Sequence, residues 1–159
     1  MNGRCVLASA LGGLLLRVDR GAVCGLSFVS APGMAAGAPA DAPAGALERE
    51  VARQLGEYFA GLRTGFDLPL RPRGSAFAQA VWRQLGQLRY GERIAYAGLA
   101  ERLGLGRGYS RAVARAVAAN PLLVLLPCHR VVGSDGALHG YAGGIERKRW
   151  LLRLEERPQ

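Results

Sequence analysis

A cysteine followed at once by a histidine closes an apolar run: Leu122-Leu123-Val124-Leu125-Leu126 leads into Pro127-Cys128-His129-Arg130. A thiol attacks only as thiolate, so its free value near 8.5 must be lowered by a base or a positive charge. His129 can supply the base, directly or through a water. A carboxylate can hold the imidazole in one tautomer and stabilise its charged form. Glu155, in the closing segment ERKRWLLRLEER, is the candidate for that role if the last helix packs back. Most buried cysteines are small hydrophobes with no reactivity, and the Cys-His pair alone leaves both readings open. The only histidines are His129 and His139, and the three cysteines (Cys5, Cys24, Cys128) show no Cys-x-x-Cys spacing. A zinc site is therefore poorly supplied, no cofactor is expected, and unpaired cysteines fit a reducing, cytoplasmic compartment.

The elements that must position these residues fall into two units, 1–70 and 74–157. The first thirty residues read as strands over about 4–10, 13–19 and 22–30 with glycine-containing turns. Arg4 followed by CVLASALGGLLL has the outline of a signal peptide, but Gly12-Gly13 breaks the run where a hairpin would turn. No segment is long enough to span a membrane. Residues 31–46 are rich in Ala, Pro and Gly and read as a loop or linker. In LEREVARQLGEYFAGL, Leu47, Val51, Leu55, Tyr58, Phe59 and Leu62 recur at the spacing of one helical face. The segment GFDLPLRPRG, with two prolines, reads as a connector.

In the second unit Ser75 is placed to cap a helix carrying Phe77, Val81, Trp82, Leu85 and Leu88. A short helix over Tyr96 to Leu103 stops at Gly104. Ser110 then caps a second one, with Ala112, Val113, Ala116 and Val117 inward and Arg111 and Arg115 outward. Two short helices about a glycine turn outline a helix-turn-helix. The apolar run 122–126 reads as a buried strand, Ser134-Asp135-Gly136 as a turn, and the last helix turns Trp150, Leu151 and Leu154 to the core. The formal charge of +9 is not spread evenly. Residues 1–70 hold six arginines against six acids, whereas 71–159 hold fourteen arginines and Lys148 against six acids. A basic half joined to a neutral half suits a polyanion, although a merely solvated basic face is common.

The segment NPLLVLLPCHRVVGSDGALHGYAGGIERKRWLL resembles the signature of the O6-alkylguanine-DNA alkyltransferases, the methylated-DNA–protein-cysteine methyltransferases. The likeness extends back through AFAQAVWRQLGQLRYGERIAYAGLAERLG and SRAVARAVAANP, covering about residues 75 to 155. It implies a mixed α/β fold: a small N-terminal unit with ribonuclease H-like topology, then a mostly helical, winged-helix-like unit. It implies transfer of an alkyl group from O6-alkylguanine, and less well O4-alkylthymine, in duplex DNA irreversibly to Cys128, once per molecule and on a flipped nucleotide. His129 is then the base, Glu155 its orienter, Asn120 the brace of the active-site loop and Tyr96 the partner of the leaving guanine. Arg111 is implied to fill the gap left by the extruded base, with Ser110, Ala112 and Arg115 beside it on the DNA. Tyr141 walls the pocket, with Ala142, Val131 and Pro127. Some relatives bind zinc in the N-terminal region, for which this chain lacks the histidines. The implied partner is lesion-bearing duplex DNA and the implied state a monomer, with clustering along DNA left open. The rival readings are an alkyltransferase-like protein that senses lesions without transfer, in which the acceptor cysteine is replaced, and a helix-turn-helix regulator, which leaves PCHR unexplained.

Overall fold

Alternating burial along the first strands dictates a sheet with one covered face. The structure, a computed structural model, describes residues 2–29 and 42–158. Strands β1 (Asn2–Leu7), β2 (Leu14–Asp19) and β3 (Ala22–Phe28) form an antiparallel sheet in the order β1-β2-β3. Cys5 and Leu7 of β1, and Leu14, Leu16 and Val18 of β2, point to one side and are buried. Between Arg17 and Val18 the register shifts, so Cys24 is an extra residue on β3, which lets Val23 and Leu26 both face the core. Most of the expected linker over 31–46 lies outside the described residues. Helix α1 (Ala46–Phe59) covers the sheet with Val51, Leu55 and Tyr58, whereas Leu62, expected on the same face, lies beyond the helix end and is 78% exposed.

The connector is not idle chain. Val23 bridges to Leu70 through Val23 N–H to Pro69 O at 2.8 Å and Arg71 N–H to Val23 O at 2.8 Å. Gln54 of α1 clamps it as well, accepting from Asp67 N–H at 2.9 Å and donating to Asp67 O at 3.1 Å. Leu26 meanwhile bridges to Leu122, so β3 takes up backbone from the C-terminal part too, and one apolar cluster runs through both parts.

Helix α2 (Ala76–Leu85) begins as expected, Ser75 Oγ accepting from Ala78 N–H at 3.1 Å. Phe77, assigned to its apolar face, is 37% exposed instead. Helices α3 (Tyr96–Arg102) and α4 (Ser110–Ala118) follow, separated by Gly104 at φ 75° and a 3-10 turn over Arg107–Tyr109. Trp82 Nε1 donates to Ala116 O at 2.8 Å and so ties α2 to α4. Ser110 is the first helical residue and not the cap: the N-cap is Tyr109, and no side chain caps α4.

The run 122–126 is buried, as expected, but it is a tight turn and not a strand. Leu126 N–H reaches Leu122 O at 2.9 Å, and Val124 adopts φ 72°. A β-branched residue in that region is strained by about 1–3 kcal/mol, which surrounding contacts must hold. Two-residue strands β4 (Ile94–Ala95) and β5 (Val131–Val132) then pair in parallel, and α5 (Ile145–Glu155) closes the chain. None of the described helices is long and apolar enough to cross a membrane.

The two serines are expected to respond differently to truncation. Ser75→Ala removes a real cap and should cost about 1 kcal/mol in urea denaturation. Ser110→Ala removes none and should cost nothing, or stabilise slightly. Equal losses would contradict the assignment.

Candidate active site

The turn at 122–126 delivers Cys128, and Asn120 holds the turn. Asn120 Nδ2 donates to Leu126 O at 2.9 Å and its Oδ1 accepts from Leu122 N–H at 2.9 Å, so one buried amide satisfies both ends of the loop. Its expected part as brace therefore has a geometric basis. Cys128, His129 and Arg130 form a buried 3-10 turn. The parallel pairing of β4 with β5 sets Ile94 opposite Val131 and Ala95 opposite Val132, which brings Tyr96, the next residue, to the same place.

Behind the thiol lies a buried charge network. His129 Nε2 is 2.7 Å from Glu155 Oε2, and both side chains are inaccessible to solvent. Glu155 Oε1 accepts from Arg130 Nε at 2.6 Å, Oε2 accepts from Tyr58 Oη at 3.2 Å, and Gly91 N–H stands 3.4 Å from Oε1. With Nε2 committed to Glu155, the buried His129 Nδ1 has no partner among the described residues. Lys148, counted above among the charges of the basic half, is buried and donates to Val131 O at 2.7 Å and His139 O at 3.0 Å. Arg130 and Arg147 are buried as well, so three cations of the basic half are internal.

Cys128 opens on a cleft of about 20 Å³ lined by Tyr96, by Ala114, Val117 and Ala118 of α4, and by Gly140, Tyr141 and Ala142. That is room for about one water, so a larger occupant needs the lining to move apart. The loop leans on the N-terminal sheet. A Cβ at Gly143 would lie 2.6 Å from Tyr141 Cε2 and 2.8 Å from the Phe28 ring, so only glycine permits this approach. Arg147 stacks over Phe28 at 4.2 Å and donates to Gly143 O and, across the two parts, to Leu11 O. The Tyr141 hydroxyl is buried without a partner among the described residues.

Of the four residues expected to line the pocket, Tyr141 and Ala142 do so. Val131 is not among the lining residues and its carbonyl is taken by Lys148, while Pro127 lines a separate recess with Phe66 and Leu88. The α4 alanines Ala114 and Ala118 were missed, as small residues carry no chemical signal. Arg111 and Arg115 are exposed one turn apart on α4, with Ser110 and Ala112 half-buried beside them. The helix that presents arginines is thus the one that walls the cleft.

Electrostatics correct one expectation. Burial pushes the Cys128 thiol up to about 11, outweighing the Asn120 hydrogen bond and the Lys148 charge. His129 is lowered: burial exceeds the pull of Glu155. Burial pushes Glu155 upward too, but hydrogen bonds and charge from His129 and Arg130 prevail and hold it below the ordinary carboxylate value. The resting site is therefore a neutral thiol, a neutral imidazole and a carboxylate.

Such a site is that of a protein that keeps one protected thiol at the foot of a cleft beside a basic helix. Comparison with known proteins agrees. The profile of the 6-O-methylguanine DNA methyltransferase DNA-binding domain matches residues 76–157. A methylated-DNA–protein-cysteine methyltransferase of Methanosarcina barkeri is 49% identical over 108 residues, 68% of each chain. One from Mycolicibacterium paratuberculosis is 49% identical over 114 residues, 72% of this chain and 66% of the relative. The crystal structure of Mycobacterium tuberculosis O6-methylguanine methyltransferase superposes with a TM-score of 0.81 at 34% identity, covering 99% of this chain and 96% of that one. The Mycobacterium tuberculosis OGT in complex with DNA gives 0.80 at 36%, covering 95% and 91%. The chain belongs to the methylated-DNA–protein-cysteine methyltransferase family.

The buried imidazole makes stability pH-dependent. Below its ordinary 6.5, His129 takes a proton in the unfolded chain but resists one in the folded state. The unfolded state then binds more protons, so stability falls as pH drops below about 6.5. The Glu155 contribution is present above 4.5 and is lost only at lower pH, as its folded value is passed. Urea denaturation is expected to give a smaller unfolding free energy at pH 5.5 than at 7.5, with the difference reduced in His129→Gln. Equal stability of the wild-type protein at both values would contradict a neutral buried imidazole.

Proposed function

We propose that this chain repairs duplex DNA by moving the alkyl group of O6-alkylguanine, and less well of O4-alkylthymine, irreversibly onto its own Cys128. The observation that carries this reading is a buried thiol at the foot of a cleft walled by the arginine-bearing helix α4, with the His129–Glu155 pair behind it. In the reaction the Cys128 proton passes through a water to His129 Nδ1, whose Nε2–H is held by Glu155. The thiolate attacks the alkyl carbon, a sulfur–carbon bond forms, and the carbon–O6 bond breaks. Guanine leaves with the electron pair, assisted by the Tyr96 hydroxyl, and recovers a proton from the relay. The thioether has no good leaving group, and among the described residues no second nucleophile adjoins it, so each molecule reacts once.

A guanine O6 within a duplex is out of reach of a buried sulfur, so the nucleotide must flip at a cost of about a few kcal/mol, less for a poorly paired lesion. Arg111 fills the vacated stack, while Ser110, Ala112 and Arg115 lie along the minor groove and bind without reading sequence. Tyr141 and Ala142 move with their loop to admit the base. We assign residues 1–70 to a scaffold unit and 74–157 to a DNA-binding and acceptor unit, acting as a monomer in the cytoplasm. The extra carbon enters a packed site, so the alkylated product is less stable than the free protein. A lesion sensor without transfer chemistry has no use for Cys128 and its relay.

Incubation with a duplex containing O6-methylguanine, followed by intact mass and peptide mapping, tests this. One added methylene on the Cys128 peptide, saturating at one equivalent, is expected. No gain, or a gain on Cys5 or Cys24, overturns it. Cys128→Ala is expected to keep its affinity for the lesion duplex and to gain no mass.

A further inference from the structure

We propose that Tyr58 of the N-terminal helix α1 is a positioning residue for the transfer relay: its hydroxyl donates to the same Glu155 oxygen that holds His129, and so sets how strongly that carboxylate draws a proton onto the imidazole. The proposal rests on the reading of Cys128 as alkyl acceptor and extends the reacting assembly into the part of the chain otherwise assigned to a scaffold.

The geometry is specific. Glu155 Oε2 receives His129 Nε2 at 2.7 Å and Tyr58 Oη at 3.2 Å, across 97 positions of sequence in the second case. Tyr58 is fully buried, so no bulk water can take over its bond. Its ring is fixed by Phe59, Phe66 and Tyr90, with centroids 5.6, 5.2 and 6.2 Å away. A phenylalanine would fill that aromatic cluster equally well. The hydroxyl is the part that packing does not explain, and among the described residues it donates to the relay carboxylate. Burial also pushes the phenol far above its ordinary value, so it stays a donor at every working pH.

The other groups facing Glu155 are accounted for. Arg130 Nε donates to both carboxylate oxygens, to Oε1 at 2.6 Å and to Oε2 at 3.1 Å, Gly91 N–H approaches Oε1 at 3.4 Å, and Tyr90 Oη donates to the Leu154 carbonyl. Lys148 acts on His129 and Cys128 through charge. Among the described residues two side-chain donors thus share Oε2 with His129, the Arg130 guanidinium at 3.1 Å and the Tyr58 hydroxyl at 3.2 Å, and the hydroxyl is the one that can be removed without deleting a buried charge. A hydrogen bond to a carboxylate stabilises its charge and weakens its pull on a second proton donor. Without the hydroxyl, Oε2 stabilises imidazolium more strongly and His129 is protonated at higher pH. Once protonated it cannot take the thiol proton, so the acid limb of the rate moves upward.

The test is the pH profile of alkyl transfer to Cys128, followed by intact mass with excess O6-methylguanine duplex between pH 5.5 and 9. Tyr58→Phe is expected to shift the acid limb upward by about half a pH unit, about a threefold loss of rate on that limb, since one unit is a tenfold change in protonation. Phe66→Leu loosens the same aromatic cluster without touching Glu155 and is expected to leave the limb in place. Site-specific fluorotyrosine at position 58, a stronger donor of nearly the same shape, should move the limb downward and serves if Tyr58→Phe folds poorly. Superimposed profiles, a uniform loss at every pH, or an equal shift in Phe66→Leu overturn the proposal. If the wild-type protein gains no alkyl group, the transferase reading itself fails. If it does and the limb does not move, only the role of Tyr58 fails.

Discussion

A carboxylate removed from water must be surrounded by donors, and the fold around Glu155 is an answer to that constraint. Left unpaired, a buried charge costs several kcal/mol, and deleting one partner of a buried pair typically costs about 3–5 kcal/mol. Here four donors come from three places: His129 and Arg130 from the turn after the apolar loop, Tyr58 from α1, and the Gly91 amide from the segment after α2. Docking α5 so that Glu155 is satisfied therefore also fixes the turn that carries Cys128. Assembly of the fold and assembly of the site are the same event.

The same burial explains why the thiol rests neutral. A thiolate exposed at the surface would react with any electrophile or oxidant, and a consumed acceptor cannot be restored by turnover. Burial holds the Cys128 thiol up at about 11, and the relay behind it offers an imidazole nitrogen, without a partner among the described residues, to receive the proton when an alkyl carbon is in place. Protection and reactivity are thus divided between desolvation and the His129–Glu155 pair. The narrow cleft adds to the protection.

Much of this was legible in the chain. The strands, α1, the Ser75 cap, the helix pair and the last helix all follow from period and capping chemistry, because their signals are local. What was not legible depends on tertiary partners. The run 122–126 resembles a strand in composition, and only the Asn120 amide, bonded to both its ends, turns it back on itself. Strands β4 and β5 are two residues each and leave no periodic trace. Arg130, Arg147 and Lys148 count as surface charge until their carbonyl and carboxylate partners are seen. At the site, Cys128, His129, Asn120 and Glu155 come together as the motif suggested. Tyr58 reads in the sequence as one member of an apolar helix face, because nothing in its spacing announces where its hydroxyl goes.

The central claim is that the Glu155 charge, acting through His129, makes the buried thiol reactive. Replacing it by the near-isosteric amide tests this most directly. In Glu155→Gln protein that still melts cooperatively and still binds lesion duplex, the single-turnover rate of methyl transfer to Cys128 should fall by about a hundredfold or more, the scale of a lost proton-transfer partner. A rate within about threefold of the wild-type value, in folded and binding-competent protein, would contradict the account.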